Sequence, residues 1–304
     1  MSTTLANKID FEAIISVTNA NPNGDPLSGN SPRTDIDGFG EISDVCIKRK
    51  IRNRMQDKGY SIFVQSDDRC DDGMATLSAR AENMGLDKIT SSKEFQDIAC
   101  STWLDVRTFG QVFAFGKSDS DNKDEGEKSD GKKSKKGSKF KCPSVSVRGP
   151  VSVCLAKSVD PVDIQSMQIT KSVSGTKNEG DAKGSDTMGT KSLVKFGLYT
   201  IKGSISPQLA EKTGFTEEDA EIVKECLRTL FVNDSSAARP DGSMEVLKLY
   251  WWKHNCKDGK YSAAKVHHLV NISLKEGENP TSIDSYNITL NNLDGLSCEE
   301  IDGF

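Results

Sequence analysis

FEAIISVTNANPNGDPLSGNSPR, residues 11–33, decides how this chain is read. An apolar run ends at Thr18. The loop that follows, over 19–33, holds four Asn and three of the chain's nine Pro. Nothing in it fills a core. The segment DVCIKRKIRNRM, residues 44–55, is basic and has helical spacing. Ile47, Ile51 and Met55 recur every four residues and make one buried stripe. The predicted order is therefore strand, stiffened amide-rich loop, positively charged helix. Pro limits the loop's conformations, and Gly24 and Gly29 permit close approach of another backbone. The Asn side chains either grip the sugar and phosphate of a nucleic acid or satisfy the loop's own backbone.

The helix is predicted over 43–58, with Ser43 as N-cap, Asp44 in the first turn and Gly59 just past the end. Six basic and two acidic residues lie between Asp44 and Lys58. Lys48, Arg49 and Arg52 form a basic shoulder beside the apolar stripe, read as lacking acid partners four residues away. Such a shoulder is either a solvated face or an anion-binding one.

The 304-residue chain carries a net charge of −5, so bulk charge does not draw it to nucleic acid or to an anionic membrane. Any such binding rests on local segregation of charge. The N-terminus has no apolar signal-peptide core, and no uncharged apolar run approaches the roughly 20 residues that span a bilayer. The eight Cys are scattered without a C-x-x-C pair, which reads as buried thiols in a reducing cytoplasm rather than a zinc site. His254, His267 and His268 have no metal-ligand spacing. The last two are expected on opposite faces of a strand.

Residues 117–141, KSDSDNKDEGEKSDGKKSKKGSKFK, contain almost no apolar side chains and are expected to be a disordered insertion. A second polar insertion covers 174–191. Strands are expected near 9–18, 106–115, 144–156, 164–173 and 194–205, and in the C-terminal runs EVLKLYWWKHN, AKVHHLVNISLK and DSYNITL. Residues 75–104 read as mainly helical. A helix near 216–232 begins at Thr216, with Asp219 three residues on. Few helices and many strands predict an α+β fold, with helices on one face of an antiparallel sheet.

VTNANPNGDPLSGNSPRTD followed by SDVCIKRKIRN resembles the start of the type I-C backbone proteins of CRISPR-Cas systems, the Csd-two branch of the Cas-seven family. The resemblance continues through DVRTFGQVFAF, VRGPVSV, MQITKSV, TMGTKSLVKFGLYTIKG and LKLYWWKH, in order, to about residue 275. It implies a modified RRM or ferredoxin-like βαββαβ palm. Residues 1–304 would be one such domain, with a finger at about 60–105, the disordered loop at 117–141 and a thumb at about 172–192. It also implies a function without a cofactor: copies stack head to tail along a CRISPR RNA as the spine of a Cascade complex and present the guide to target DNA. The expected partners are that RNA, other copies, a large subunit and a guide-processing subunit.

Carried over residue by residue, the resemblance makes Asn21 and Asn23 guide contacts in the loop, and Lys48, Arg49 and Arg52 guide contacts on the helix. Arg107 and Arg148 would touch the RNA backbone or act as structural ion-pair partners. Gln168, Lys171 and Lys191 flank the thumb. Met188 is either an apolar wedge against a base or core packing at the hairpin base. An alternative is a metal-dependent RNA endonuclease like the type III backbone subunits, using Asp25 and Asp35. Where the resemblance would put the catalytic Asp, this chain has Asn30 instead. A free-standing single-stranded RNA-binding protein is the third class.

Overall fold

The structure, a computed structural model, describes residues 3–115, 140–142, 144–170 and 188–304. The first half runs β1 Ile9–Ala20, β2 Gly24–Asp25, β3 Ser31–Pro32, β4 Phe39–Ile42, α1 Asp44–Asp57, α2 Leu77–Asn83, α3 Ser92–Thr102 and α4 Leu104–Phe109. Next come β5 Gly110–Phe113, β6 Val145–Arg148, β7 Val151–Val153, β8 Ala156–Pro161, β9 Ile164–Thr170 and β10 Met188–Ile205. The chain continues through α5 Pro207–Thr213, α6 Glu217–Arg228, β11 Met244–Lys253, α7 Ala263–His267, β12 Val270–Leu274, β13 Tyr286–Leu290 and β14 Glu299–Asp302.

The organising sheet has eight strands in the order β14-β11-β1-β10-β8-β4, with β7 and β9 also paired to β10. Every pairing in it is antiparallel. β1 is central, and nine of its residues in succession are buried, because both faces of the sheet are covered. On one face Phe11, Ala13, Ile15 and Val17 pack against Ile47, Ile51 and Met55 of α1 and Val223 and Leu227 of α6. On the other face Ile14, Leu198, Tyr250 and Trp252 meet α7 and the β12–β13 hairpin. The expectation that one face carries the helices holds for α1, α5 and α6. The C-terminal segment closes the second face.

The predicted helix starts are met closely, as is the stop of α1, whereas α6 ends at Arg228 and not near 232. Ser43 Oγ accepts from Cys46 N at the head of α1, and Gly59 has φ +83 just past its end. Thr216 and Asp219 make a complete capping box on α6. Four expectations need correction. The segment 106–115 is a helix end before it is a strand, since α4 runs to Phe109 and β5 begins at Gly110. The strand expected over 144–156 breaks at Gly149–Pro150, where Pro has no N–H for a ladder. His267 lies in the short helix α7, not on a strand, and its Nε2 sits 3.1 Å from Gly203 O. The eight Cys are all free, but only Cys100, Cys142 and Cys226 are buried; Cys154 and Cys256 are exposed.

A second core lies beside the sheet. Phe63, Phe95, Trp103 and Val106 pack with Phe113, Phe140, Val145 and Val147. Helical residues in 75–104 thus share a core with the β5–β6 hairpin, whose strands pair in register from Gly110↔Arg148 to Phe113↔Val145. Most of the low-complexity run expected over 117–141 falls outside the described residues.

Glu12 sits on the second face of β1, 1% exposed, with Lys202 Nζ 3.6 Å away. Burial raises its pKa from 4.5 to about 7, against the pull of Lys202. The folded state therefore holds this proton more tightly than the unfolded one. Its stabilising effect is complete below about pH 4.5 and is lost as pH rises through 7. Glu12→Gln is expected to flatten this slope and to raise stability at pH 8 by roughly 1–3 kcal/mol, from 1.36 kcal/mol per pKa unit. Urea titrations at pH 5 and pH 8 check it.

Candidate nucleic-acid interface

The amide-rich loop is held by its own side chains. Asp25 Oδ1 accepts from Leu27 N, and its Oδ2 accepts from Ser28 Oγ, closing a turn of 3-10 helix. Gly29 and Asn30 take the left-handed conformation, at φ +62 and +59, and bring the chain back as β3. Asn21 is 4% exposed, and its Nδ2 donates to Asn30 O at 2.7 Å. Its Oδ1 is buried without a partner. Asn23 Oδ1 accepts from both Ser43 N and Ser43 Oγ, each at 2.9 Å. The two Asn side chains therefore fasten the loop to itself and to the N-cap of α1.

Two of the three shoulder cations of α1, Lys48 and Arg52, have acid partners, which corrects the view that the shoulder lacks them; the third, Arg49, is held by a backbone carbonyl. Lys48 Nζ pairs with Asp44 at 3.0 Å, one turn back on the same helix. Arg49 donates to Val64 O at 2.6 Å. Arg52 Nε donates to Asp105 at 2.9 Å, and its guanidinium lies 5.0 Å from the Phe109 ring centre. Arg54 pairs with Asp57, Lys58 with Glu225, and the buried Lys50 with Asp234. Burial pushes the Lys50 ammonium below its usual range, while Asp234 opposes that fall.

Arg107 likewise makes a two-pronged pair with Asp219, both contacts at 2.9 Å, beside the capping box of α6. Arg148 differs: it is exposed at the end of β6, and among the described residues it has no ion-pair partner. The carboxylates considered for catalysis are engaged in turns. Asp25 caps its 3-10 turn. Asp35 accepts from Asp37 N and Phe39 N and pairs with Lys157 at 2.6 Å, and that lysine holds its carboxyl below the usual range. Among the described residues no group of three or more His, Cys, Asp or Glu is placed to hold a metal.

The exposed element is the two-stranded arm of β9 and the start of β10. Its register runs from Met188↔Thr170 through Lys191↔Met167. Met188 is 65% exposed, so it does not pack in the core; Gln168 Nε2 lies 3.1 Å from its sulfur. Met167 and Ile169 are 39% and 48% exposed on the opposite face, where Lys191 also stands. Lys171 and residues 172–187 of the expected thumb lie outside the described residues.

Fold and site define a mixed α/β protein on one large antiparallel sheet, with a cation-bearing loop and helix and an exposed apolar arm. The chain belongs to the CRISPR-associated protein Cas7 family, whose model matches residues 7–291. It is 26% identical over 285 residues to CRISPR-associated protein Cas7 of Haloferax volcanii, covering 92% of this chain and 79% of that protein. Among solved structures, a chain of a CRISPR RNA-guided surveillance complex, pre-nicking, is 16% identical with a TM-score of 0.44, over 90% of this chain and 84% of that one. A chain of a CRISPR RNA-guided surveillance complex is 17% identical with a TM-score of 0.39, over 81% and 68%. Among the described residues no helix is long and apolar enough to cross a membrane.

Proposed function

We propose that this chain is the guide-RNA-binding backbone subunit of a type I-C CRISPR surveillance complex. Copies stack head to tail along one CRISPR RNA and present it for pairing with target DNA, alongside a large subunit and a guide-processing subunit. The role is one of binding, not catalysis. Its palm is RRM-like. The order β11-β1-β10-β8 supports this, because with α1 and α6 on one face it is the 4-1-3-2 order of a βαββαβ unit. The finger would occupy about 60–105 and the thumb about 172–192.

Family membership supplies the CRISPR association. The observation that carries the RNA-binding role is the β9–β10 arm, where Met167, Ile169 and Met188 face solvent beside Gln168 and Lys191. Apolar side chains so exposed favour a flat apolar partner, and nucleobases beside phosphates provide one. Arg148 is the second cation available to a phosphate.

Purified with its partner subunits, the protein is expected to form a high-mass species that RNase dissolves and DNase does not. Met188→Asp with Lys191→Ala should weaken RNA binding about tenfold or more, the scale of one lost base contact. A monomer that ignores a repeat-containing RNA even with those partners present would overturn the reading.

A further inference from the structure

Two cations outside the α1 shoulder stand beside the loop with thin internal compensation. Arg33 and Arg239 approach the Asn21–Asn23 segment from its two sides. Arg33 N donates to Asn23 O at 3.0 Å. On the other side Asn21 N donates to Ala238 O at 2.9 Å, and Thr18 N to Ser243 O at 2.8 Å. Arg33, Lys50, Arg239 and Asp234 all lie within electrostatic range of the Cys46 thiol, whose Sγ is 3.8 Å from Pro22 O in the same segment.

Charge compensation there is thin. Arg33 is 38% exposed along its side chain, and among the described residues its one carboxylate contact is 3.6 Å, to Asp25. Its Nε is buried without a hydrogen-bond partner. Arg239 is 28% exposed and touches Asp234 through Nε alone, at 3.3 Å. That same carboxylate is shared with buried Lys50. Both guanidinium groups therefore keep N–H donors turned to solvent. A planar fork with unused donors matches the oxygens of a phosphodiester.

We propose that Arg33 and Arg239 form a phosphodiester seat flanking the amide-rich loop, which grips one backbone phosphate of single-stranded RNA. Asn21 and Asn23 hold the loop that spaces the two guanidiniums. Lys50 orients Asp234, and through it Arg239, from beneath. This seat rests on the RNA-binding role proposed above and assigns part of it to residues outside the α1 shoulder.

The test uses the full-length chain and a fluorescein-labelled oligouridylate, titrated at several salt concentrations. Arg33→Ala with Arg239→Ala is expected to weaken binding about tenfold or more and to reduce the salt slope by about 0.7–1, the share of one phosphate contact. Lys253→Ala with Lys257→Ala removes the same charge from the far end of β11 and should leave the slope unchanged. Arg33→Lys with Arg239→Lys keeps both charges and the carboxylate contacts. It should retain the slope but bind more weakly than wild type, since an ammonium lacks the fork. Wild-type affinity and slope in the double alanine variant, with wild type binding RNA, would overturn the seat alone. Failure of wild type to bind any RNA would overturn the RNA-binding role and the seat with it. If the alanine variant does not fold by circular dichroism, the lysine variant decides: affinity equal to wild type overturns the seat.

Discussion

Asp105→Ala is expected to lower the unfolding free energy by about 3–5 kcal/mol, the scale for breaking a buried charge pair. Asp105 is fully buried, and its two oxygens serve three donors. Oδ1 accepts from Phe63 N at 2.6 Å; Oδ2 accepts from Val64 N at 3.1 Å and Arg52 Nε at 2.9 Å. Truncation leaves a guanidinium on a side chain only 12% exposed without its anion, and two backbone N–H groups without an acceptor. These contacts tie α1 to the start of α4 and to the 61–64 segment, so the loss falls where the two cores meet. Asp105→Asn keeps an acceptor and should cost less. Asp44→Ala serves as contrast: it breaks the Lys48 pair, but Asp44 is 43% exposed, so the change should stay below about 1 kcal/mol. Urea midpoints measure all three. A loss under about 1 kcal/mol for Asp105→Ala would mean that Arg52 swings to water, and would restore it as a candidate for binding an anion.

Gly149→Ala should cost ~3 kcal/mol, the upper end for overpacking. A β-carbon at Gly149 would overlap the backbone of Thr108, Phe109 and Gly110, and backbone cannot swing aside as a long side chain can. Gly110, its neighbour across the junction, sits at φ +79 against Val147 O and Gly149 N. Helix α4 turns into β5 at this point while β6 turns into β7. Gly59→Ala isolates the cost of positive φ alone, because at φ +83 nothing lies near its missing β-carbon. It should cost about 1–2 kcal/mol. Thermal melts of both variants compare the two. Gly149 is not at positive φ, so its loss reports the overlap alone; a loss no larger than that at Gly59 would mean that the backbone around Gly149 shifts to admit the added carbon.

Much of the scaffold was legible along the chain. Ile47, Ile51 and Met55 at four-residue spacing marked the buried side of α1, and Ser43 and Gly59 marked its ends. Thr216 and Asp219 announced α6. Besides α4, whose residues from Val106 on were expected in a strand, two helices escaped notice because their signals are short or ambiguous. α5 opens with Pro207 at its first turn but runs only to Thr213. α7 opens the run AAKVHHLV, residues 263–270, whose second half also suits a strand in composition. The β9 half of the arm was legible as a strand, but β10 begins at Met188, inside the polar insertion expected over 174–191, and the arm's apolar side chains proved exposed rather than packed.

The candidate site was read with less success, and the reason is distance along the chain. The partners of Arg52, Lys50 and Arg107 stand 53, 184 and 112 residues away, so a count of charges on one helix could not see them. Asn21 and Asn23 resolved toward fastening the loop for the same reason: the Ser43 that Asn23 holds is 20 residues on. Arg33 and Arg239 drew no attention because neither lies in a basic run.

The sequence by itself determined the α+β class, the strand-loop-helix opening and the family resemblance, since these depend on local spacing and on motifs in order. Only the tertiary structure decided which cations are neutralised and which remain open to an anion. Coulomb energy and desolvation depend on distance in space, and folding brings to one point groups that the chain keeps far apart.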